Sequence, residues 1–182
     1  VTHFCCWCEL TSLFNPMKTA KYIVVGGGLA GLMAAVTLAE KKHPVEVFSV
    51  VPFRRSHSAC ARGGINAAMG TTGEEDSSWI HFEETIYGGD FLANQPPVLE
   101  MCKAAPGIVH LFDRMGVPFN RTHEGLLDFQ RSDGTHFRRT AFAGVTTGQQ
   151  MLYALDEQAR RYELEGLITR HEGWEFLSAV LD

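Results

Sequence analysis

The feature that most constrains what this chain can fold into is residues 21–31, Lys-Tyr-Ile-Val-Val-Gly-Gly-Gly-Leu-Ala-Gly. A short β-branched run ends there in Gly26-x-Gly28-x-x-Gly31, and an alanine-rich helical pattern follows. In that setting the glycines predict a dinucleotide-binding turn. Gly26 permits the tight exit from the strand, Gly28 lets backbone approach a pyrophosphate, and Gly31 lets the helix pack closely on the strand. Gly27, Leu29 and Ala30 complete the turn, whose helix N-terminus supplies N–H donors and a positive dipole end. With 18 glycines among 182 residues such a spacing arises easily by chance, so the flanking strand and helix carry the argument.

The order that follows is strand (about 21–25), helix (about 29–41) and strand (about 45–50). Lys41, Lys42 and His43 suit the helix C-terminus and Pro44 stops it. This β-α-β unit, with parallel strands, opens a doubly wound α/β fold. Residues 52–73, rich in Gly, Ser and Arg, read as a long irregular segment laid along a ligand. A helix is expected over 77–87, with Glu74, Glu75 and Asp76 ahead of it and Gly88-Gly89 behind. Pro96-Pro97 opens another, which Pro106 should break in two. Residues 117–137 suggest hairpin or loop structure, 148–165 a helix with Leu152, Leu155 and Ala159 on one side, and 167–180 one or two short strands.

A charged fraction of 20% and a net charge of −5 do not describe a nucleic-acid-binding surface. The longest apolar pattern, 29–39, is far short of the roughly 20 residues of a membrane-spanning helix. Three of the five cysteines, Cys5, Cys6 and Cys8, crowd the N-terminus beside His3. Their spacing is not that of a zinc pair, and the odd count argues against a disulfide framework. Residues 1–16 are therefore expected to lie outside the domain, with Met17-Lys18 as a natural start and 17–182 as the domain itself. A dinucleotide enzyme of two domains needs more chain than this.

A nicotinamide-binding domain carries an acidic residue at the end of its second strand to hold the ribose hydroxyls. Here that position is Ser49, and Glu46 points to the opposite face by strand alternation. A hydroxyl can bond the ribose, but the missing carboxylate favours a flavin over NAD.

The next segment, Arg54-Arg55-Ser56-His57-Ser58-Ala59-Cys60-Ala61-Arg62-Gly63-Gly64, resembles the flavinylation segment of the succinate dehydrogenase and fumarate reductase flavoprotein subunits, R-S-H-[ST]-x-x-A-Q-G-G. The likeness continues through Thr85-Ile86-Tyr87-Gly88-Gly89-Asp90-Phe91-Leu92, through Met115-Gly116-Val117-Pro118-Phe119-Asn120-Arg121, and through Arg139-Thr140 with Thr147-Gly148. The chain thus resembles the FAD-dependent oxidoreductase 2 family from Lys21 to Asp182. The resemblance implies a glutathione-reductase-type, Rossmann-like FAD-binding domain, incomplete here because capping and helical domains would follow.

It also implies that His57 carries FAD covalently through the 8α-methyl, a bond that requires a neutral imidazole nitrogen as nucleophile. Gly63 and Gly64 would run beside the flavin, Ser56 and Ser58 would donate to the cofactor, and Phe176 would meet the adenine by its main chain, its side chain being core. Arg62 departs from the family glutamine, and either favours anionic flavin or substrate carboxylate, or disturbs the site. Arg54 and Arg55 are candidates for the pyrophosphate, although solvation is the default for loop arginines. Arg138 and Arg139 are not assigned to substrate, because the family's proton-donating arginine and dicarboxylate-binding residues lie downstream; no catalytic residue is expected here.

The implied enzyme interconverts succinate and fumarate and passes electrons to an iron–sulfur subunit and a quinone. Membrane anchor subunits would hold it peripherally on the cytoplasmic side of the inner membrane. A soluble relative such as L-aspartate oxidase, with FAD held noncovalently, is the nearest alternative, and Arg-Ser-His-Ser argues against it. The chain by itself is expected to be an inactive partial module.

Overall fold

The computed structural model describes residues 22–71, 73–132 and 134–178. The expectations for residues 1–16 with Cys5, Cys6 and Cys8, for Met17-Lys18 and for 179–182 lie outside the described residues. Strand β1 (Tyr22–Val25), helix α1 (Leu29–Glu40) and strand β2 (Val45–Ser49) form the anticipated unit. The helix ends in a tight reversal in which Lys42 takes a positive φ of 62° and His43 N–H donates to Leu38 O.

After β2 come two single 3₁₀ turns, Phe53–Arg55 and His57–Cys60, then a two-residue strand β3 (Ile65–Asn66). Helix α2 (Ser78–Gly88) starts where Ser77 Oγ accepts from Ile80 N–H, a side-chain cap. Helix α3 (Gln95–Arg114) has prolines in its first turn and Pro106 inside it. The expected break at Pro106 does not occur. Cys102, Ala105, Val109 and Phe112, on both sides of the proline, are buried along one stripe, and packing of that continuous stripe outweighs the roughly 3 kcal/mol cost of an interior proline.

Strands β4 (Phe129–Gln130) and β5 (Thr140–Ala141), helix α4 (Thr147–Leu164) and strand β6 (Ile168–Glu172) complete the described chain. Residues 174–178 form no strand, so the second of the two strands considered for this region is absent among the described residues.

The strands form two sheets. The parallel one has the order β1-β2-β6, with Val45 opposite Ile168 and Ser49 opposite Glu172. The small antiparallel one has the order β3-β5-β4 and brings Ile65 opposite Ala141. Helices α1 and α4 pack against each other and against the parallel sheet. Leu32, Val36, Val45, Val47, Leu152, Leu155 and Ile168 interlock there with almost no solvent exposure. Strand alternation puts Ser49 on this buried side with Val45 and Val47, and Glu46 with Phe48 on the other. No described helix is long and apolar enough to cross a membrane.

Candidate functional site

The glycine turn sits where strand β1 hands over to helix α1, at the C-terminal end of the parallel strands. Gly26 has a φ of +113°, and a Cβ at Gly31 would overlap the Gly26 carbonyl oxygen. Both positions therefore require glycine for the reasons the spacing implies. At Gly27 the reason is one the sequence conceals: a Cβ would overlap Phe53 Cδ1 and lie 2.9 Å from Ser49 Oγ. Phe53 is fully buried, so the turn closes down onto an aromatic ring supplied by the segment after β2.

That segment also caps the helix. Gly28 is the N-cap and has no side chain to offer, but Leu29 N–H donates to Ser58 Oγ at 3.2 Å. A serine 29 residues downstream thus satisfies one of the first-turn donors that a helix leaves open, and those of Ala30 and Gly31 have no acceptor within the helix. Because Ser58 accepts here, its own O–H remains available to donate. Ser56 is buried, its Oγ has no hydrogen-bond partner, and it lies 3.9 Å from where a Gly28 Cβ would be. A buried hydroxyl without a partner, open helix N–H donors and a side-chain-free approach at Gly28 are the donor set that a pyrophosphate takes up. The residues present fit a dinucleotide such as FAD.

Ser49 ends β2 as expected and is buried; its hydroxyl donates to Val51 O at 2.8 Å, which leaves its lone pairs to accept from a ligand. His57 lies exposed in the second 3₁₀ turn, directly between Ser56 and Ser58. Gly63 and Gly64 are exposed, and the Gly63 carbonyl accepts from Gln130 Nε2 at 3.0 Å. Gly64, at φ +109°, has no room for a side chain, since a Cβ would lie 2.5 Å from Ala141 O. The small sheet thereby fixes the backbone of the Gly63-Gly64 loop. Arg62 is exposed.

The structure corrects one expectation about Phe176. Its side chain is 57% exposed rather than core, and it lines a cavity of about 370 Å³ with Val25, Phe48, Trp174 and Leu177. Phe48 stacks on His171 and Trp174 meets both rings edge-on, on the sheet face opposite α1 and α4, where Ile23 and Val25 are also exposed. A larger cavity, about 540 Å³, lies on α2 around Trp79, Phe82, Tyr87 and Phe91 and includes none of the glycine-turn residues.

The arginines separate by role. Arg139, just before β5, is fully buried and pairs at 2.9 Å each with Asp76, ahead of α2, and with Glu84 within α2. Burial lowers the pKa of nearby His81, and the Arg139 charge lowers it further. Burial raises that of Asp76 against the pull of Arg139. Arg54 does not reach toward the glycine turn: its Nε donates to Asp156 Oδ2 at 2.6 Å, and its guanidinium lies over the Tyr153 ring. Asp156 is fully buried and also accepts from Arg160 and Arg170, each at 2.9 Å. Burial opposes its ionisation, yet the bonds from Arg160 and Arg54 hold its pKa below the usual carboxylate value.

Neither Phe53 nor Asp156 was recognisable as part of the site from motif reasoning. Asp156 did carry a signal, because it falls on the same helical stripe as Leu152, Leu155 and Ala159, where a carboxylate requires cationic partners. Among the described residues no group of His, Cys, Asp or Glu could hold a metal ion.

Fold and turn together define an FAD-binding α/β domain. The chain belongs to the FAD binding domain family, which it matches over residues 21–179. It is 68% identical over 166 residues to the succinate dehydrogenase flavoprotein subunit of Bacillus subtilis (strain 168), covering 91% of this chain and 28% of that one. To the corresponding subunit of Rickettsia bellii it is 37% identical over 80% of this chain and 26% of that one. Among solved structures it resembles Mycobacterium smegmatis Sdh1 in complex with UQ1, with a TM-score of 0.79 and 28% identity over 85% of this chain and 28% of that one. It also resembles a quinol-fumarate reductase with menaquinol molecules, with a TM-score of 0.74 and 30% identity over 86% of this chain and 27% of that one. The chain therefore spans 26–28% of the length of these relatives.

Proposed function

We propose that residues 17–182 are the N-terminal part of the FAD-binding domain of a succinate dehydrogenase or fumarate reductase flavoprotein subunit. In this reading the FAD pyrophosphate lies over Gly26–Gly31 with Ser56 and Ser58 as donors, Ser49 bonds the ribose, and the backbone at Phe176 meets the adenine. Flavin, when bound, supplies a two-electron acceptor for hydride from C2 or C3 of a four-carbon dicarboxylate. The described residues bind and orient it; the dicarboxylate-binding and proton-donating groups belong to parts of the family fold not matched here. Electrons would pass to an iron–sulfur subunit and on to a membrane quinone through anchor subunits, with the flavoprotein peripheral on the cytoplasmic face.

The observation that carries this reading is the bond from Leu29 N–H to Ser58 Oγ. It ties the residues flanking His57 to the pyrophosphate turn and leaves the imidazole exposed beside them. We read His57 as the site of covalent attachment. His57 would hold the flavin through a C–N bond between an imidazole nitrogen and the 8α-methyl carbon, one hydrogen being lost from each and passing with two electrons to an external acceptor, dioxygen or a quinone. Expressed as the complete polypeptide, the protein should show flavin fluorescence on its denatured band, and His57→Ala should abolish that fluorescence while FAD remains bound in the native state. Native protein loaded with FAD but bare of flavin after denaturation would refute covalent attachment and favour a noncovalent flavoenzyme.

A further inference from the structure

We propose that helix α4 acts as a splint for the turn bearing His57, and that Arg54, gripped by Asp156, is the positioning residue that holds this turn for flavin attachment. The inference rests on the reading of His57 as the attachment site. Two single 3₁₀ turns, 53–55 and 57–60, have little internal stability, since runs this short make few hydrogen bonds of poor geometry. Their shape must come from outside. On the N-terminal side, Phe53 N–H donates to Glu172 Oε1 at 3.1 Å and Arg54 Nε to Asp156 Oδ2 at 2.6 Å. On the C-terminal side, Gly148 N–H, in the first turn of α4, donates to Ala61 O at 2.9 Å. A Cβ at Gly148 would overlap Ser58 O and lie 2.6 Å from Ala61 Cβ, so the helix backbone is pressed directly against the turn.

One helix therefore grips the segment at both ends, through Gly148 near its start and Asp156 farther along, with His57 exposed between the grips. Formation of the C–N bond needs the imidazole nitrogen held against the methyl carbon within a narrow range of distance and angle, and misplacement by about 1 Å costs on the order of a hundredfold in rate. Arg54 can be removed without leaving a bare buried charge, because Arg160 and Arg170 still bond Asp156. Its effect on geometry can thus be separated from an effect on folding.

The test uses the complete polypeptide with FAD supplied: wild type, Arg54→Gln and Arg54→Lys. The readouts are total bound FAD, the rate at which flavin becomes resistant to denaturation, and amide hydrogen exchange at Ser56, Ala59 and Ala61. R54Q should bind FAD within about twofold of wild type, attach it at least about tenfold more slowly, and exchange those amides faster. R54K, which keeps the charge but not the planar fork, should fall between. Attachment by R54Q at the wild-type rate would overturn the proposal, as would a loss of total FAD as large as the loss of covalent FAD, which would make Arg54 a cofactor ligand. If R54Q is not recovered folded, R54K decides: slowed attachment at normal FAD content supports the proposal and unchanged attachment overturns it. A wild type that binds FAD with none attached locates the failure in the reading of His57, and this inference falls with it.

Discussion

Replacing Gly27 by alanine tests the claim that the glycine turn is shaped by Phe53 as well as by a ligand. The added methyl would overlap Phe53 Cδ1, with Phe53 Cε1 and Ser49 Oγ each 2.9 Å away. Phe53 cannot swing into solvent, being fully buried within the main core. Overpacking of this kind costs about 1–3 kcal/mol, and the upper end applies because ring and turn are both confined. Phe53→Leu alone should cost about 1–2 kcal/mol, part of the 3–5 lost when a whole buried ring is deleted. If the clash is the cause, G27A/F53L should be less destabilised than the sum of the single variants by at least about 1 kcal/mol, since the smaller side chain makes room for the methyl. Urea unfolding of the complete polypeptide, followed through the FAD-binding domain, measures this coupling. Additivity within about 0.5 kcal/mol would refute the argument and assign the intolerance at Gly27 to the backbone alone.

Further outcomes follow from the same packing. Asp156→Ala leaves Arg170, only 12% exposed, with Glu163 as its remaining carboxylate partner, and should cost about 1–3 kcal/mol in the same unfolding assay; a loss under about 0.5 kcal/mol would show the network to be solvated. Pro106→Ala restores an N–H to α3 and should stabilise by about 1–3 kcal/mol, and a lower midpoint would mean that the proline ring packs better than the helix bond it forfeits. Acid should destabilise in two stages. His81, lowered from 6.5, is held neutral in the fold, so its contribution is complete above that value and declines as pH falls toward the lowered one, where only the unfolded chain is protonated. Asp156, lowered from 3.8, loses its contribution in turn as pH falls through its own depressed value. A pH series on His81→Gln should lose only the first stage; an unchanged slope near pH 6 would contradict the assignment.

The local elements were legible because each is set by neighbours in sequence. Period and punctuation locate β1, α1, β2, α2 and α4 to within a residue or two, since glycine, proline and capping residues act within one turn. Pro106 misled for a physical reason: propensity counts a lost hydrogen bond, whereas the stripe from Cys102 to Phe112 is buried by contacts that propensity does not contain. Phe176 misled similarly: its side chain is expected in the core, yet it is 57% exposed and lines an open cavity with Val25, Phe48 and Trp174, because burial depends on what packs over a sheet face and not on residue type alone.

By itself the sequence determined the dinucleotide turn and the preference for flavin over NAD through Ser49, because these depend on residue identity at short, fixed spacing, whereas His57 as the candidate attachment point is implied by the resemblance of residues 54–64 to a known family segment. Only the tertiary structure decided what encloses them: Phe53 beneath Gly27, Ser58 capping α1, Asp156 gripping Arg54, and Arg139 withdrawn from any ligand into a buried ion pair. Those partners lie from about 26 to 102 residues apart, and a contact between distant residues follows from how the helices and sheets pack rather than from any local pattern of residues.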